Sequence, residues 1–98
     1  MRLERQLQEY IMKSFKAADI LVYKFSSPGR VGVPDLVCIP KGQPAFFIEV
    51  KSPSGKGRLS QLQRAVIRRI EAQGCEVLVI GTKAEADAVI MGFEERGE

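Results

Sequence analysis

Pro34-Asp35-Leu36-Val37-Cys38-Ile39, a turn at Pro40-Lys41-Gly42-Gln43-Pro44, and then Ala45-Phe46-Phe47-Ile48-Glu49-Val50-Lys51 read as two buried strands joined in a hairpin. The runs are short, rich in β-branched and aromatic residues, and bounded by Gly and Pro, which is a strand pattern. Two carboxylates and an amine stand at their ends. Charge is costly in such a place, so it is usually paired, metal-bound or catalytic. Side chains alternate faces along a strand, so Glu49 and Lys51 share one face while Val50 turns to the other. If Asp35 comes from the neighbouring strand, the three groups converge. Two carboxylates beside a lysine are a donor set able to hold a divalent cation and a water.

Upstream of this hairpin, Leu3, Leu7, Ile11, Phe15 and Ala18 recur at helical spacing, which predicts an amphipathic helix over 2–18. A strand follows at Ile20–Phe25, and Ser26 to Pro34 is a loop broken repeatedly by Gly and Pro. Downstream, Ser52 to Arg58 is a second, basic loop, followed by a helix over Leu59–Gln73 that Gly74 ends. Glu76–Gly81 is nearly continuous in apolar residues and is expected to be a central strand. Thr82 is placed to cap a last helix over Ala84–Phe93. The fold class is therefore α/β, in the order αβββαβα, with a mixed central sheet flanked by helices. It is expected as a single domain spanning 1–98.

Composition narrows the chemistry. The chain has no histidine, which excludes histidine triads, histidine metal sites and histidine general bases. Acid–base or metal chemistry must come from carboxylates, Lys, Tyr, Cys or bound water. Fifteen Lys and Arg against twelve Asp and Glu leave a net charge of +3, compatible with a polyanionic partner without demonstrating one. No apolar run approaches the ~20 residues of a membrane span, and the charged N-terminus is unlike a signal peptide. The expectation is a cytoplasmic protein with no membrane partner. In that compartment Cys38 and Cys75 are expected to be buried and reduced.

Helical spacing of about 100° per residue assigns polar side chains to faces. On the first helix Glu4 falls within the buried stripe and Glu9 lies opposite it. Glu4 either snorkels off the helix end or points at a site, Gln8 sits at the edge of the stripe, and Glu9 is a solvated charge. On the second helix Leu59, Leu62, Val66 and Ile70 form the stripe. Gln63 lies inside it while Gln61 faces away. A buried amide needs partners, found either in the core or in the charged cluster. Arg64 and Arg68 lie one turn apart on the outward face, where plain solvation competes with substrate contact.

Pro34-Asp35 followed by Glu49-Val50-Lys51, on this order of elements, resembles the PD-(D/E)XK nuclease superfamily. Glu4, the Gly32-Val33-Pro34-Asp35-Leu36 run, Phe47-Ile48-Glu49-Val50-Lys51 and Leu59-Ser60-Gln61-Leu62-Gln63 are similar, more narrowly, to a VRR-NUC domain. The similarity runs from Glu4 to about Phe93. It is similar to small copies encoded by phages and bacteria, and to Holliday-junction resolvases, which act as homodimers. The resemblance implies a restriction-endonuclease-like fold and a metal-dependent endonuclease acting on DNA, selective for branched substrates. It implies that Asp35 and Glu49 bind Mg²⁺ or Mn²⁺ with the Val50 backbone carbonyl, and that Glu4 is an outer carboxylate. Lys51 would polarise the attacking water or stabilise charge on the phosphorus oxygens, and Gln63 would orient Lys51 or a bound water.

Arg30, Lys56 and Arg58 lie on the two loops flanking this cluster, where they either contact DNA phosphates or are ordinary loop charges. No small-molecule cofactor is expected. Two competing readings remain at this level. One is the same fold used as a DNA-binding or assembly module without turnover. The other is a structural Glu49–Lys51 ion pair, which would leave Asp35, Glu4 and Gln63 without a shared reason to face inward.

Overall fold

Seven elements form in the expected order among the described residues: α1 (Arg2–Ala17), β1 (Ile20–Lys24), β2 (Leu36–Pro40), β3 (Phe46–Val50), α2 (Gln61–Ala72), β4 (Glu76–Ile80) and α3 (Lys83–Arg96). The computed structural model describes residues 2–52 and 58–96. The sheet order is β1-β2-β3-β4. The first two pairings are antiparallel and β3–β4 is parallel, so the sheet is mixed. Asp19 takes a left-handed φ of 66° between α1 and β1, a conformation that short polar side chains tolerate. Gly74, at φ 96°, ends α2 as anticipated. No helix among the described residues is long and apolar enough to cross a membrane.

Paired residues share a face, which sorts the sheet into two surfaces. Ile20, Leu36, Cys38, Phe46, Ile48, Val50 and Ile80 lie on one, where they form the main core with Leu7, Ile11 and Phe15 of α1 and Ala86 of α3. Phe93 of α3 closes it, stacked on Phe46 with ring centroids 5.3 Å apart. The opposite surface carries Leu21, Tyr23, Val37, Ile39, Phe47, Glu49, Val77 and Val79. Of the two helix-bearing ends, α2 lies over β4, where Val66 and Val77 are buried. Leu21, Tyr23 and Ile39 at the other end are exposed.

Three expectations are corrected here. Glu76–Ile80 is an edge strand rather than a central one. Its apolar run reflects cladding on both faces by α2 and α3, which demands the same residues as an interior position does. Leu3 and Leu62 keep the period of their helix stripes but are about half exposed, each lying in the first turn of its helix. Cys75 is only half-buried, whereas Cys38 is fully buried with its thiol pushed up to about 12 by burial; both are free thiols.

Several boundaries also move. The second helix begins at Gln61 because Ser60 is its N-cap, and the last helix runs on to Arg96. Thr82 caps α3 as expected, its hydroxyl accepting the Glu85 N–H at 3.1 Å. The Asp35 strand starts one residue late, at Leu36, although the Asp35 carbonyl still accepts the Phe25 N–H at 2.8 Å.

Candidate active site

Asp35 is delivered to the sheet by the loop after β1. Gly32 in that loop has φ 94°, and a Cβ there would stand 3.0 Å from Leu62 Cγ and 3.2 Å from Val66 Cγ2. Only glycine lets the loop press this closely on α2. Pro34 is fully buried behind it. The Val50 N–H then donates to Asp35 Oδ2 at 2.8 Å, fixing the carboxylate against the end of β3.

Glu49 is 3% exposed and is the only buried charged residue among those described. It points to the α2 side of the sheet, as alternation requires, and Lys51 follows it on that face. Lys51 Nζ lies 3.5 Å from Glu49 Oε2. Gln63 reaches both from α2: its Nε2 donates to Glu49 Oε2 at 2.9 Å, and its Oε1 accepts from Lys51 Nζ at 3.1 Å. The inward amide thus serves the charged cluster rather than the apolar core. Both contacts to Glu49 fall on Oε2, and the Asp35 contact falls on Oδ2. Among the described residues, one oxygen of each carboxylate receives no hydrogen bond.

The electrostatics are unbalanced toward negative charge. Burial, then the neighbouring Asp35, push the Glu49 carboxyl up to about 7, and Lys51 offsets only part of this. Burial also raises Asp35, against the downward pull of the Val50 N–H, while Glu4 pushes it up and Lys51 down. Glu4 repels both carboxylates. It is half-buried and lines a cleft with Arg5, Gln8, Glu9, Lys24, Asp35 and Val50. Glu9 sits on the same cleft, but it is exposed and does not perturb the two site carboxylates.

An oxygen-binding divalent cation fits this donor set: two neighbouring carboxylates, both raised, with one oxygen apiece unbonded among the described residues. Among the described residues no three acidic or thiol side chains lie close enough to ligate one ion. Asp35 and Glu49 would therefore be the direct side-chain ligands, with backbone and water oxygens completing the shell and Glu4 remaining further out.

Lys24 joins the site as a residue that the sequence faces did not single out. It pairs with Leu36 on the core side of the sheet and lines the cleft at the end of β1. The signal was available, because Ile20, Val22 and Lys24 alternate on one face exactly as Glu49 and Lys51 do. Arg30 and Arg58 are exposed on the loops, and neither takes part in the hydrogen-bonded cluster. Lys56 lies outside the described residues. Arg64 and Arg68 are exposed, with Arg64 Nε donating to the Leu59 carbonyl at 3.4 Å.

Residues 2–84 match the VRR-NUC domain family. A relative named "Putative nuclease p44", from Acyrthosiphon pisum secondary endosymbiont phage 1, is 36% identical over 86 residues, covering 85% of this chain and 89% of the relative. A solved structure of a VRR_NUC domain is 31% identical and superposes with a TM-score of 0.80, over 90% of this chain and 94% of the other. With the sheet order, the Asp35–Glu49–Lys51 cluster and these matches in agreement, the chain belongs to the VRR-NUC domain family.

Proposed function

We propose that this protein is a metal-dependent endonuclease that hydrolyses DNA phosphodiester bonds, acts on branched DNA such as Holliday junctions, and works as a homodimer. The observation that carries the reading is the uncompensated carboxylate pair. Asp35 and Glu49 are both raised, a third carboxylate repels them, and the Lys51 ammonium opposes this. Mg²⁺ or Mn²⁺ bound there would supply Lewis-acid polarisation of a phosphate oxygen and would acidify a water.

The chain's own residues divide the remaining work. Asp35 and Glu49 would hold the cation, with the Val50 carbonyl as a further oxygen. Lys51, held by Glu49 and Gln63, offers its ammonium to the charge that develops on the phosphoryl oxygens. Gln63 orients Lys51, and Glu4 adds negative potential at the outer wall of the cleft. Arg30 and Arg58, with Lys56 on the same loop sequence as Arg58, contact backbone phosphates.

Shape selectivity is favoured because no residue pattern suits base-edge readout. A two-fold pair of such small domains would present two sites to the two strands of a junction. The relative's name supports nuclease chemistry.

The test incubates the protein with labelled four-way junction, flap, duplex and single-stranded DNA, with Mg²⁺ or Mn²⁺. Cleavage of the junction by the natural sequence, lost with a chelator and lowered about 100-fold or more in Lys51→Ala, is expected. Tight binding without cleavage under every condition would replace this reading with that of a binding module. A light-scattering mass near 11 kDa at high concentration would exclude the dimer.

A further inference from the structure

Helix α2 begins in a capping box. Ser60 Oγ accepts the Gln63 N–H at 3.1 Å, and Gln63 Oε1 accepts the Ser60 N–H at 2.9 Å. In most capping boxes the side chain at that third position serves the helix alone, and Glu does so as well as Gln. Here the same Oε1 also accepts from Lys51 Nζ, and Nε2 donates to Glu49. The orientation of this amide has no alternative. Both partners of Oε1 are donors without acceptor capacity, and Glu49, when ionised, only accepts. One amide therefore belongs to the helix cap and to the charged cluster together.

We propose that Ser60 is a positioning residue for the active site, acting through Gln63 to hold the Lys51 ammonium beside Glu49. The Ser60 hydroxyl bonds the backbone of Gln63 rather than its side-chain amide. What it fixes is the backbone of the first turn of α2, and with it the direction in which the Gln63 side chain leaves the helix. Lys51 needs such a support. Its backbone is pinned by donation to the Ile80 carbonyl at 2.9 Å, but four rotatable bonds separate that anchor from the ammonium. The Gln63 Oε1 contact, at 3.1 Å, is shorter than the 3.5 Å contact to Glu49. Loosening the cap would leave Lys51 in place along the chain and free at its tip.

The proposal rests on the nuclease reading for its consequence on turnover, and on the cap geometry alone for its structural part. The test therefore reads both. In the full chain, the order parameter of the Gln63 side-chain amide is measured by NMR relaxation without metal, for the natural sequence and for Ser60→Ala and Ser60→Thr. Cleavage is measured with Mg²⁺ at a temperature where circular dichroism shows every variant folded.

Ser60→Ala is expected to lower the order of the Gln63 amide and to reduce kcat about tenfold with KM unchanged, the change expected from about one hydrogen bond's worth of lost alignment. Ser60→Thr, which still caps, restores both. Gln63→Glu keeps the capping box, but sets a carboxylate against Glu49 and lowers kcat tenfold or more. An amide that stays ordered in Ser60→Ala, a full kcat in Ser60→Ala or Gln63→Glu, or a failure of Ser60→Thr to restore either readout would overturn the proposal. If the natural sequence cleaves nothing, the nuclease reading fails, and the amide series still decides whether the cap holds Gln63.

Discussion

Glu49→Gln should stabilise the metal-free protein at pH 8, although it removes the partner of a salt bridge. Glu49 is raised from an ordinary 4.5 to about 7, so the fold prefers its neutral form. A carboxyl raised in the folded state contributes stability that is present below the unfolded value, near 4.5, and is lost as pH climbs through about 7. At about 1.4 kcal/mol per pH unit, the interval amounts to on the order of 3 kcal/mol. The ion pair with Lys51 is already weighed in that value, as one of the effects pulling it down.

Glutamine keeps the shape, accepts from Gln63 through its amide oxygen and never ionises. Lys51 retains Gln63 Oε1 at 3.1 Å. Urea unfolding in a chelator should therefore give equal midpoints for the two proteins at pH 4. At pH 8 the variant should be higher by roughly 2 M, for an m-value near 1.5 kcal/mol/M. Adding Mn²⁺ at pH 8 should raise the midpoint of the natural sequence by mass action and leave the variant nearly unchanged. If the variant is the less stable at pH 8 in chelator by 1 kcal/mol or more, the Lys51 pair outweighs burial. The cluster would then be compensated by Lys51 rather than left in need of a cation.

Other outcomes follow from the same contacts. Arg58→Ala and Arg30→Ala should each weaken DNA binding with little change in preference among substrates, and each should lower the salt slope of log K by about 1, as loss of a single phosphate contact does. The Cys38 thiol, fully buried and pushed up to about 12, should resist a thiol reagent at pH 8 while half-buried Cys75 reacts, giving one fast equivalent in the native protein and two after denaturation. Phe15→Ala empties a fully buried site between α1 and the sheet and should cost about 3–5 kcal/mol in chemical unfolding.

The chemistry at the sheet was legible because strand alternation is a local rule. Once Phe46 to Val50 is read as a strand, Glu49 and Lys51 must share a face whatever surrounds them. The same local rule on α2 put Gln63 inward, and the helix period did so without reference to the sheet. Where the reading went astray, the cause was an environment set from outside the segment. Residues 76–80 had the composition of a central strand, yet two helices cover an edge strand just as two neighbours would cover a central one. Leu3 and Leu62 obey their helix stripes, but a stripe says nothing of where the surface beneath it stops. Lys24 was missed because one charge at a strand end looks ordinary until the cleft beside α1 exists.

By itself the sequence determined the order of elements, the inward faces and the exclusion of histidine chemistry, since periodicity, turn residues and composition act over a few residues at a time. Tertiary structure decided which inward groups meet. Asp35 reaches the cluster because Gly32 lets its loop press against α2 and because the Val50 N–H, fifteen residues on, donates to its carboxylate and clamps it. The helix period separates Glu4 from Glu9, but that Glu4 acts on the two carboxylates rather than snorkelling away depends on how α1 packs on the sheet, which no local period contains. The raised carboxyl of Glu49 has the same origin: burial and repulsion are sums over neighbours from several elements, and only the packed molecule brings those neighbours together.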